Sequence, residues 1–463
     1  MHMTYIHVFK SVFFRAACIC LAGLFQAPIS LADTLDVESP DAPNTSRISL
    51  TILPPINLKP APDIPPFASS THAGLDRWRD AFSKDAISKG HPPLIVYDVL
   101  RDLRPLEAYL PKTPSQTPLK SATSEQAEFA RPIWDYLQSR VTPSRIEEGA
   151  QTLKDMAPIY AQISEAYGVD ATAIASIWGM ESNFGQYMGN YDAPEALANM
   201  AVEGRRRKMA ERELLAIMQI VENGYAERNA LIASWAGAMG QTQFMPSTYM
   251  AYAVDFTGDG KRDVWADRAD ALASAANYLK SSGYVRGEPW GLEVTVSDDF
   301  DYGLSDGHSR SLTDWQSLGI ALVRPLAEPD KGKTYQARLW LPTGASGPKY
   351  LLFKNFDVFL VYNRSYAYAL SVGLLADAIG GKIGPVTPWP TELKQLSKAQ
   401  IKRLQAGLNT LGFEAGPVDG VAGTGTRRAL RAFQVSAGLI ADSYPTHDML
   451  AHLDQRVAEA ETG

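Results

Sequence analysis

Cysteine is almost missing from this chain. Its 463 residues contain two, Cys18 and Cys20, and both lie in an apolar stretch at the N-terminus. If that stretch is removed, no thiol remains, which excludes thiol nucleophiles, disulfides and cysteine-ligated metals together. Long apolar runs are scarce too. Beyond the first thirty residues nothing approaches the roughly 20 apolar residues of a spanning helix, so the chain does not read as an integral membrane protein. An excess of positive charge is also lacking: 44 Lys and Arg against 51 Asp and Glu leave a net charge of −7, a poor match to nucleic acid. The one basic run, Arg205 to Lys208, reads as a solvated helix face. What is present is ordinary globular material, 45% hydrophobic and 21% charged, with length for about two or three domains.

The N-terminus has the layout of an export signal over residues 1–32. Lys10 and Arg15 precede the apolar run from Ala16 to Phe25, and Ser30-Leu31-Ala32 supplies small residues where a signal peptidase cuts. A short membrane anchor is the alternative, although the run is shorter than a spanning helix needs. Neither cysteine follows the Leu-small-small pattern of a lipoprotein signal. Cleavage would start the mature chain at Asp33 and, with Lys10 and Arg15 gone and no acid lost, move the net charge from −7 to −9.

Residues 33–68 are rich in Pro, Ser, Thr and Asp, with Pro54-Pro55, Pro60, Pro62 and Pro65-Pro66, and read as a disordered tether. From about Ala73 to Gly381 apolar residues recur mostly at three- and four-residue spacing, as at Ile159, Ile163 and Tyr167, which predicts helices. Leu292–Val296 and Ala337–Leu341 look like strands, and Phe356–Tyr362 like a buried strand or a helix start. Three prolines and a Trp between Pro385 and Pro390 mark a linker over 385–391. The tail, 392–455, places Leu404, Leu408 and Leu411 on one helix and Ala429, Leu430 and Phe433 on another, around a Gly-rich turn. A unit of that size usually binds rather than catalyses.

One residue breaks the apolar pattern. Ile174, Ile177 and Trp178 form a stripe that continues at helical spacing onto Glu181, just before the chain breaks at Ser182-Asn183-Phe184-Gly185. A carboxylate at the end of a buried stripe loses water, which favours its protonated form and suits a general acid. The alternative is a helix-terminal Glu turned to solvent.

Two further segments accompany it: Ser234-Trp-Ala-Gly-Ala-Met-Gly-Gln-Thr-Gln-Phe-Met-Pro-Ser247 and Asn355-Phe-Asp-Val-Phe-Leu-Val-Tyr-Asn-Arg-Ser-Tyr-Ala-Tyr368. With Trp178–Gly185 they closely resemble the lytic murein transglycosylases of the B type, family 103 of the glycoside hydrolases. The resemblance runs from about Phe67 to Gly381. It implies a mainly α, lysozyme-like catalytic domain over 69–384 with a small β element, which makes the fold α+β. It also implies cleavage of the β-1,4 bond between N-acetylmuramic acid and N-acetylglucosamine without water, leaving a 1,6-anhydromuramic end. Glu181 matches the single catalytic acid and base. Asn363 matches the asparagine beside the muramoyl N-acetyl group, Ser234 and Gln243 match cleft-lining groups, and Tyr362 and Tyr368 match cleft tyrosines. The implied partner is the peptidoglycan glycan strand, in the periplasm, with other envelope proteins as further candidate partners.

A hydrolase of the usual kind would need a second carboxylate about 5 Å away for retention, or about 6.5–9.5 Å for inversion. No acid in the other two motifs matches that role, and Asp192 reads as a loop or capping residue. A water-using muramidase and a non-catalytic wall-binding scaffold are the competing functions. The scaffold would be marked by replacement of Glu181 or Asn363, and both are present.

No catalytic cofactor is implied. Asp255-Phe-Thr-Gly-Asp-Gly260 resembles the start of an EF-hand loop, with Asp255, Thr257 and Asp259 at positions one, three and five, Gly at six and Lys261 at seven. Position twelve is Ala266 in place of Glu, so a structural calcium or sodium would need Asp270 to reach back, as the matching residue does in relatives that bind calcium. A metal-free turn is the alternative.

The tail carries Leu404-Gln405, Asn409, Leu411-Gly412, Val418-Asp419-Gly420, Gly423, Thr426 and Phe433-Gln434, and resembles the three-helix peptidoglycan-binding domain of many wall enzymes. Most of these positions are structural. Asp442-Ser443 departs from the usual Asp-Gly, which puts the local turn in question.

Overall fold

The computed structural model describes residues 65–110, 132–326 and 335–462. The expected signal over 1–32 and nearly all of the tether lie outside them. Among the described residues no helix is long and apolar enough to cross a membrane.

In chain order the first helices are α1 (Ala73–Ser88), α2 (Pro93–Leu100), α3 (Ile133–Arg140), α4 (Pro143–Asp155), α5 (Ala157–Tyr167) and α6 (Ala171–Ser182). After β1 (Tyr191–Asp192) come α7 (Ala193–Glu203), α8 (Arg207–Glu222), β2 (Ile232–Ala233), α9 (Pro246–Tyr252) and α10 (Arg268–Ser281). Proline in the first turn opens α2, α4, α5, α7 and α9, where its missing N–H costs nothing and its φ is already helical. Left-handed Gly168 and Gly204 close α5 and α7. Asp192 caps α7, accepting the Glu195 N–H at 2.9 Å, and both its oxygens are held by Arg228.

A five-stranded antiparallel sheet follows. Its strands are β3 (Gly291–Val296), β4 (Arg310–Ser311), β5 (Ile320–Leu322), β6 (Gln336–Trp340) and β7 (Lys349–Leu352), with α11 (Leu312–Ser317) between β4 and β5, in the spatial order β4-β6-β7-β3-β5. Trp315, Leu351 and Phe353 are buried in its own small core. Both expected strands form. The ambiguous Phe356–Tyr362 segment is a helix, α12 (Lys354–Tyr362), because its buried positions Phe356 and Phe359 are spaced for one helical face. Next comes α13 (Tyr366–Ile379).

The helices make two cores. One gathers apolar residues of α3, α5, α6, α10, α12 and α13, including Trp178, Phe184 and Phe359; the other gathers α1, α2, α7, α8 and the 231–253 segment, including Leu197, Met239 and Phe244. α10 lies between them, giving Leu272, Ala273 and Ala276 to the first and Ala271 to the second. Tyr362 packs against both. Ligand sites occur preferentially where two packed units meet.

The tail folds as α14 (Lys398–Thr410), α15 (Thr424–Ser436) and α16 (His447–Thr462) around Leu404, Leu408, Leu430, Phe433 and Leu453. α16 runs past residue 455, where the sequence places the domain end, because Val457 still lies over Gly407. Buried Gln405 ties the Asp419–Gly420 turn to α15: it accepts the Gly420 N–H at 2.9 Å and donates to Asp419 and to Thr426 at 3.0 and 3.1 Å. The turn at Asp442-Ser443 forms without glycine. Ser443 takes a φ of 62°, and its hydroxyl accepts from Arg431 at 2.9 Å. Arg431 also donates to the carbonyls of Gly303 and Ser305, and Asp442 accepts the Ala345 N–H at 2.9 Å. These contacts fasten the tail to the sheet region.

Phe433 is 1% exposed and meets Phe413 edge-on. Phe433→Ala is expected to cost about 3–5 kcal/mol, most of what so small a core supplies. Limited trypsin digestion should then cleave within 392–455 while the body up to 384 stays intact.

Candidate active site

Glu181 stands in the last turn of α6. Every residue from Ala173 to Met180 is buried, so the stripe read from the sequence belongs to a helix that is apolar all round. Glu181 itself is half-buried. What brings it to the surface of the core is the reversal that follows. Asn183, Phe184 and Gly185 all have positive φ, at 49°, 59° and 84°, and the Phe184 N–H returns to the Trp178 carbonyl at 3.3 Å. Asn183 tolerates this conformation and Phe184 does not readily. Phe184 is kept there by burial of its ring, which is edge-on to Trp178 and sits over Gly179, where a Cβ would lie 2.7 Å from it.

Tyr368 supplies the hydrogen bond that defines the site. It is 3% exposed at the start of α13, whose N-terminus is capped by Ser365. Its hydroxyl donates to Glu181 Oε1. Burial first, then the nearby Glu181 charge, push the Tyr368 phenol well above its ordinary pKa of 10.0, so it remains a protonated donor. Tyr362 is shifted the same way by the same causes. Its hydroxyl donates to the Thr242 carbonyl at 2.8 Å, and its ring lies 5.9 Å from Phe244 and 5.2 Å from Tyr278. The third motif is thereby tied to the second as well as to Glu181.

Asn363 caps the end of α12 in extended backbone. Its side chain is half-buried and makes no hydrogen bond among the described residues. Ser234 and Gln243 first serve their own segment. The Ser234 hydroxyl accepts the Ala238 N–H at 3.2 Å, and the Gln243 amide donates to the Met188 and Gly240 carbonyls at 3.1 and 2.9 Å. Gly240 is required: its φ is 63°, and a Cβ would lie 2.7 Å from the Val264 carbonyl.

Two further acids are committed elsewhere. Asp357, the acid of the third motif, makes a two-pronged pair with Arg338 at 2.7 and 2.6 Å, and Asp192 is the α7 cap held by Arg228.

Gln241 is a site residue that sequence reasoning missed. It is 3% exposed. It accepts the Trp178 indole N–H at 3.0 Å and donates to the Trp265 carbonyl at 3.0 Å, and its own backbone N–H goes to the Val264 carbonyl at 2.9 Å. The available signal was a long amide inside a motif of small and apolar residues, which when buried must find partners on both sides.

In the EF-hand-like loop, carboxylate oxygens of Asp255, Asp259 and Asp270 lie within 4.8 Å of one another. Asp255 accepts the N–H groups of Gly258, Asp259 and Gly260; Asp259 accepts that of Lys261 at 2.8 Å. Asp270 is fully buried and accepts from Phe256, Thr257 and Asp263 at 2.8, 3.3 and 2.9 Å. Burial lifts its pKa above 3.8, against those three bonds. Asp270 thus reaches back to the turn and lies beside Asp255 and Asp259. Asp263 turns to its own loop, accepting from Trp265 and Ala266. Hard oxygens so grouped suit calcium or sodium.

Comparison with known proteins agrees with this geometry. Residues 74–377 match the transglycosylase SLT domain, and residues 397–453 match a putative peptidoglycan binding domain. The chain is 31% identical over 252 residues to the membrane-bound lytic murein transglycosylase B of Escherichia coli strain K12, over 53% of this chain and 66% of that one. Among solved structures, SltB3 from Pseudomonas aeruginosa in complex with NAG-anhNAM-pentapeptide is 43% identical with a TM-score of 0.76, over 82% of this chain and 99% of that one. The Escherichia coli lytic transglycosylase Slt35 in complex with calcium is 27% identical with a TM-score of 0.54, over 65% of this chain and 92% of that one. A helix-borne Glu under a tyrosine donor, three converging motifs and a docked three-helix tail therefore have one origin: the chain belongs to the transglycosylase SLT-domain family, as a lytic murein transglycosylase of the B type with a C-terminal peptidoglycan-binding domain.

Proposed function

We propose that this chain cleaves the β-1,4 bond between N-acetylmuramic acid and N-acetylglucosamine in peptidoglycan strands, with Glu181 as its one acid and base. The observation that carries the proposal is the Tyr368–Glu181 hydrogen bond. Protonated Glu181 gives its proton to the glycosidic oxygen as the C1–O bond breaks. The resulting carboxylate then takes the proton of the C6 hydroxyl, whose oxygen closes on C1. No water is consumed, and Glu181 ends as it began. The C6 hydroxyl outruns water because it is held on the same sugar at a high effective concentration.

Tyr368 stays a donor throughout and steadies the carboxylate between the two steps. Asn363, with its amide uncommitted inside the protein, is assigned to the muramoyl N-acetyl group. Tyr362 offers a ring face and Ser234 a hydroxyl to the sugar, and Gln243 shapes the turn beside them. The domain boundaries proposed are 69–384 for catalysis, 385–391 for the linker and 392–455 for wall binding, with α16 extending the last. Export by residues 1–32 to the periplasm fits a substrate that lies outside the cytoplasmic membrane.

Asp255, Asp259 and Asp270, with oxygens of Thr257 and Lys261, would hold a calcium or sodium ion. Such an ion supplies cohesion between the loop and α10. Its role is structural.

Glu181→Gln is expected to lower release of anhydromuropeptides from purified sacculi by about 10²–10⁴-fold or more with an unchanged circular dichroism spectrum. Unchanged release would remove Glu181 from the mechanism. Mass spectrometry decides the chemistry, since an anhydro end is lighter by one water than the reducing end left by a muramidase.

Tyr368→Phe removes a charge-assisted hydrogen bond of about 1.5–3 kcal/mol. The expected result is a kcat lowered about 10- to 100-fold, with the alkaline limb of the pH profile moved to higher pH, because the carboxylate loses the donor that favours its charged form.

Calcium chloride should raise the Tm, and Asp270→Asn should abolish the rise. The sign with pH follows from burial of Asp270. Because its folded-state pKa is raised, the ion-free protein loses stability as pH climbs from 3.8 through the higher value. A cation offsets that loss and competes with the proton, so the calcium-induced rise in Tm should shrink on acidification into this range.

A further inference from the structure

We propose that Gln241 is a positioning residue that clamps the end of α6, and Glu181 with it, to the loop running from Asp255 to Asp270. The inference rests on the reading of Glu181 as the acid.

Three contacts place Gln241 between these elements. Its Oε1 accepts the Trp178 indole N–H at 3.0 Å, and Trp178 lies three residues before Glu181 on the same helix. Its Nε2 donates to the Trp265 carbonyl at 3.0 Å and its backbone N–H to the Val264 carbonyl at 2.9 Å, both in the stretch that joins the acidic turn to Asp270. Its amide also fills the hollow behind Gly185, where a Cβ would lie 2.6 Å from Oε1. The reversal after Glu181 therefore rests on Gln241 as well. A second link runs in parallel: the Arg268 guanidinium, two residues before Asp270, sits over the Trp178 ring at 5.8 Å from its centroid.

The chemistry of the amide suits this task. It can accept from an indole with its oxygen and donate to a carbonyl with its NH2 group while uncharged. Buried at 3% exposure with both ends used, it has one low-energy orientation, so movement of the Val264–Trp265 backbone is passed to Trp178 rather than absorbed. Order in the acidic loop thereby reaches the acid without any ligand of the loop touching it. Displacement of a reacting group by about 1 Å costs up to about a hundredfold in rate, so a clamp of this kind acts on kcat.

The test uses the full-length chain and a soluble glycan strand. Gln241→Met keeps length and volume and loses both side-chain hydrogen bonds. The expected result is a kcat lowered about 10- to 100-fold with KM within about twofold, and faster amide exchange in residues 171–185 but not in 398–410. Trp178→Phe should do the same, and the double variant should be no worse than the weaker single one. In the parent, calcium chloride should slow exchange in both 255–270 and 171–185; in Gln241→Met it should slow only the former.

A kcat within about twofold of the parent with unchanged exchange in 171–185 overturns the proposal, as does an equal response of 171–185 to calcium in both proteins. If Gln241→Met fails to fold, Trp178→Phe, which leaves Gln241 its bond to Trp265, carries the same expectation. A parent that releases no anhydro product would instead refute the Glu181 reading, and the exchange measurements would still judge the clamp.

Discussion

A buried phenol that donates to a half-buried carboxylate is the interaction around which this molecule is arranged. Tyr368 can serve Glu181 only if neither group drifts, and both are carried by helices buried on nearly every side, α6 and α13, packed against each other in one core. Burial does two things at once. It fixes the geometry, and it keeps the Tyr368 proton in place. The price of so dry a pair is a strained exit from α6, where a phenylalanine takes a left-handed backbone because its ring is worth more inside than its dihedral costs.

The seam between the two cores explains why the three motifs lie so far apart in sequence. The first ends the helix of one core, the second forms the wall of the other, and the third bridges them through Tyr362, whose hydroxyl and ring contact the second motif. Position along the chain matters less than membership of a core. A shift of one core relative to the other would separate Glu181 and Asn363, which belong to the first, from Ser234 and Gln243 beside the second, without unfolding either.

Much of this was legible in the residues. Two strands, the helical body, the tail helices and the stop after Ser182 follow from spacing, proline and glycine. Glu181 stood out because a charge interrupted an apolar stripe, although the stripe proved to be one side of a helix buried all round, which a period of 3.6 does not distinguish. Asp192, read as a loop or capping residue, caps α7. The contacts of Gln241, and the double duty of Ser234 and Gln243 as turn supports, were invisible because they depend on backbone carbonyls more than twenty residues away or on turns whose shape no local pattern encodes. Ser443 replaced an expected glycine for a reason equally non-local: its hydroxyl is needed by Arg431.

That last contact changes how the tail works. A binding module on a loose linker raises local concentration by an amount set by linker length, and lets its partner search. Here Arg431 grips the carbonyls of Gly303 and Ser305, and Asp442 holds the Ala345 N–H, so the module is seated rather than tethered. A strand held at the tail would meet the cleft at one spacing and in one orientation, which makes the distance between anchor and cut a property of the fold, measured in saccharide units, rather than of chance encounter.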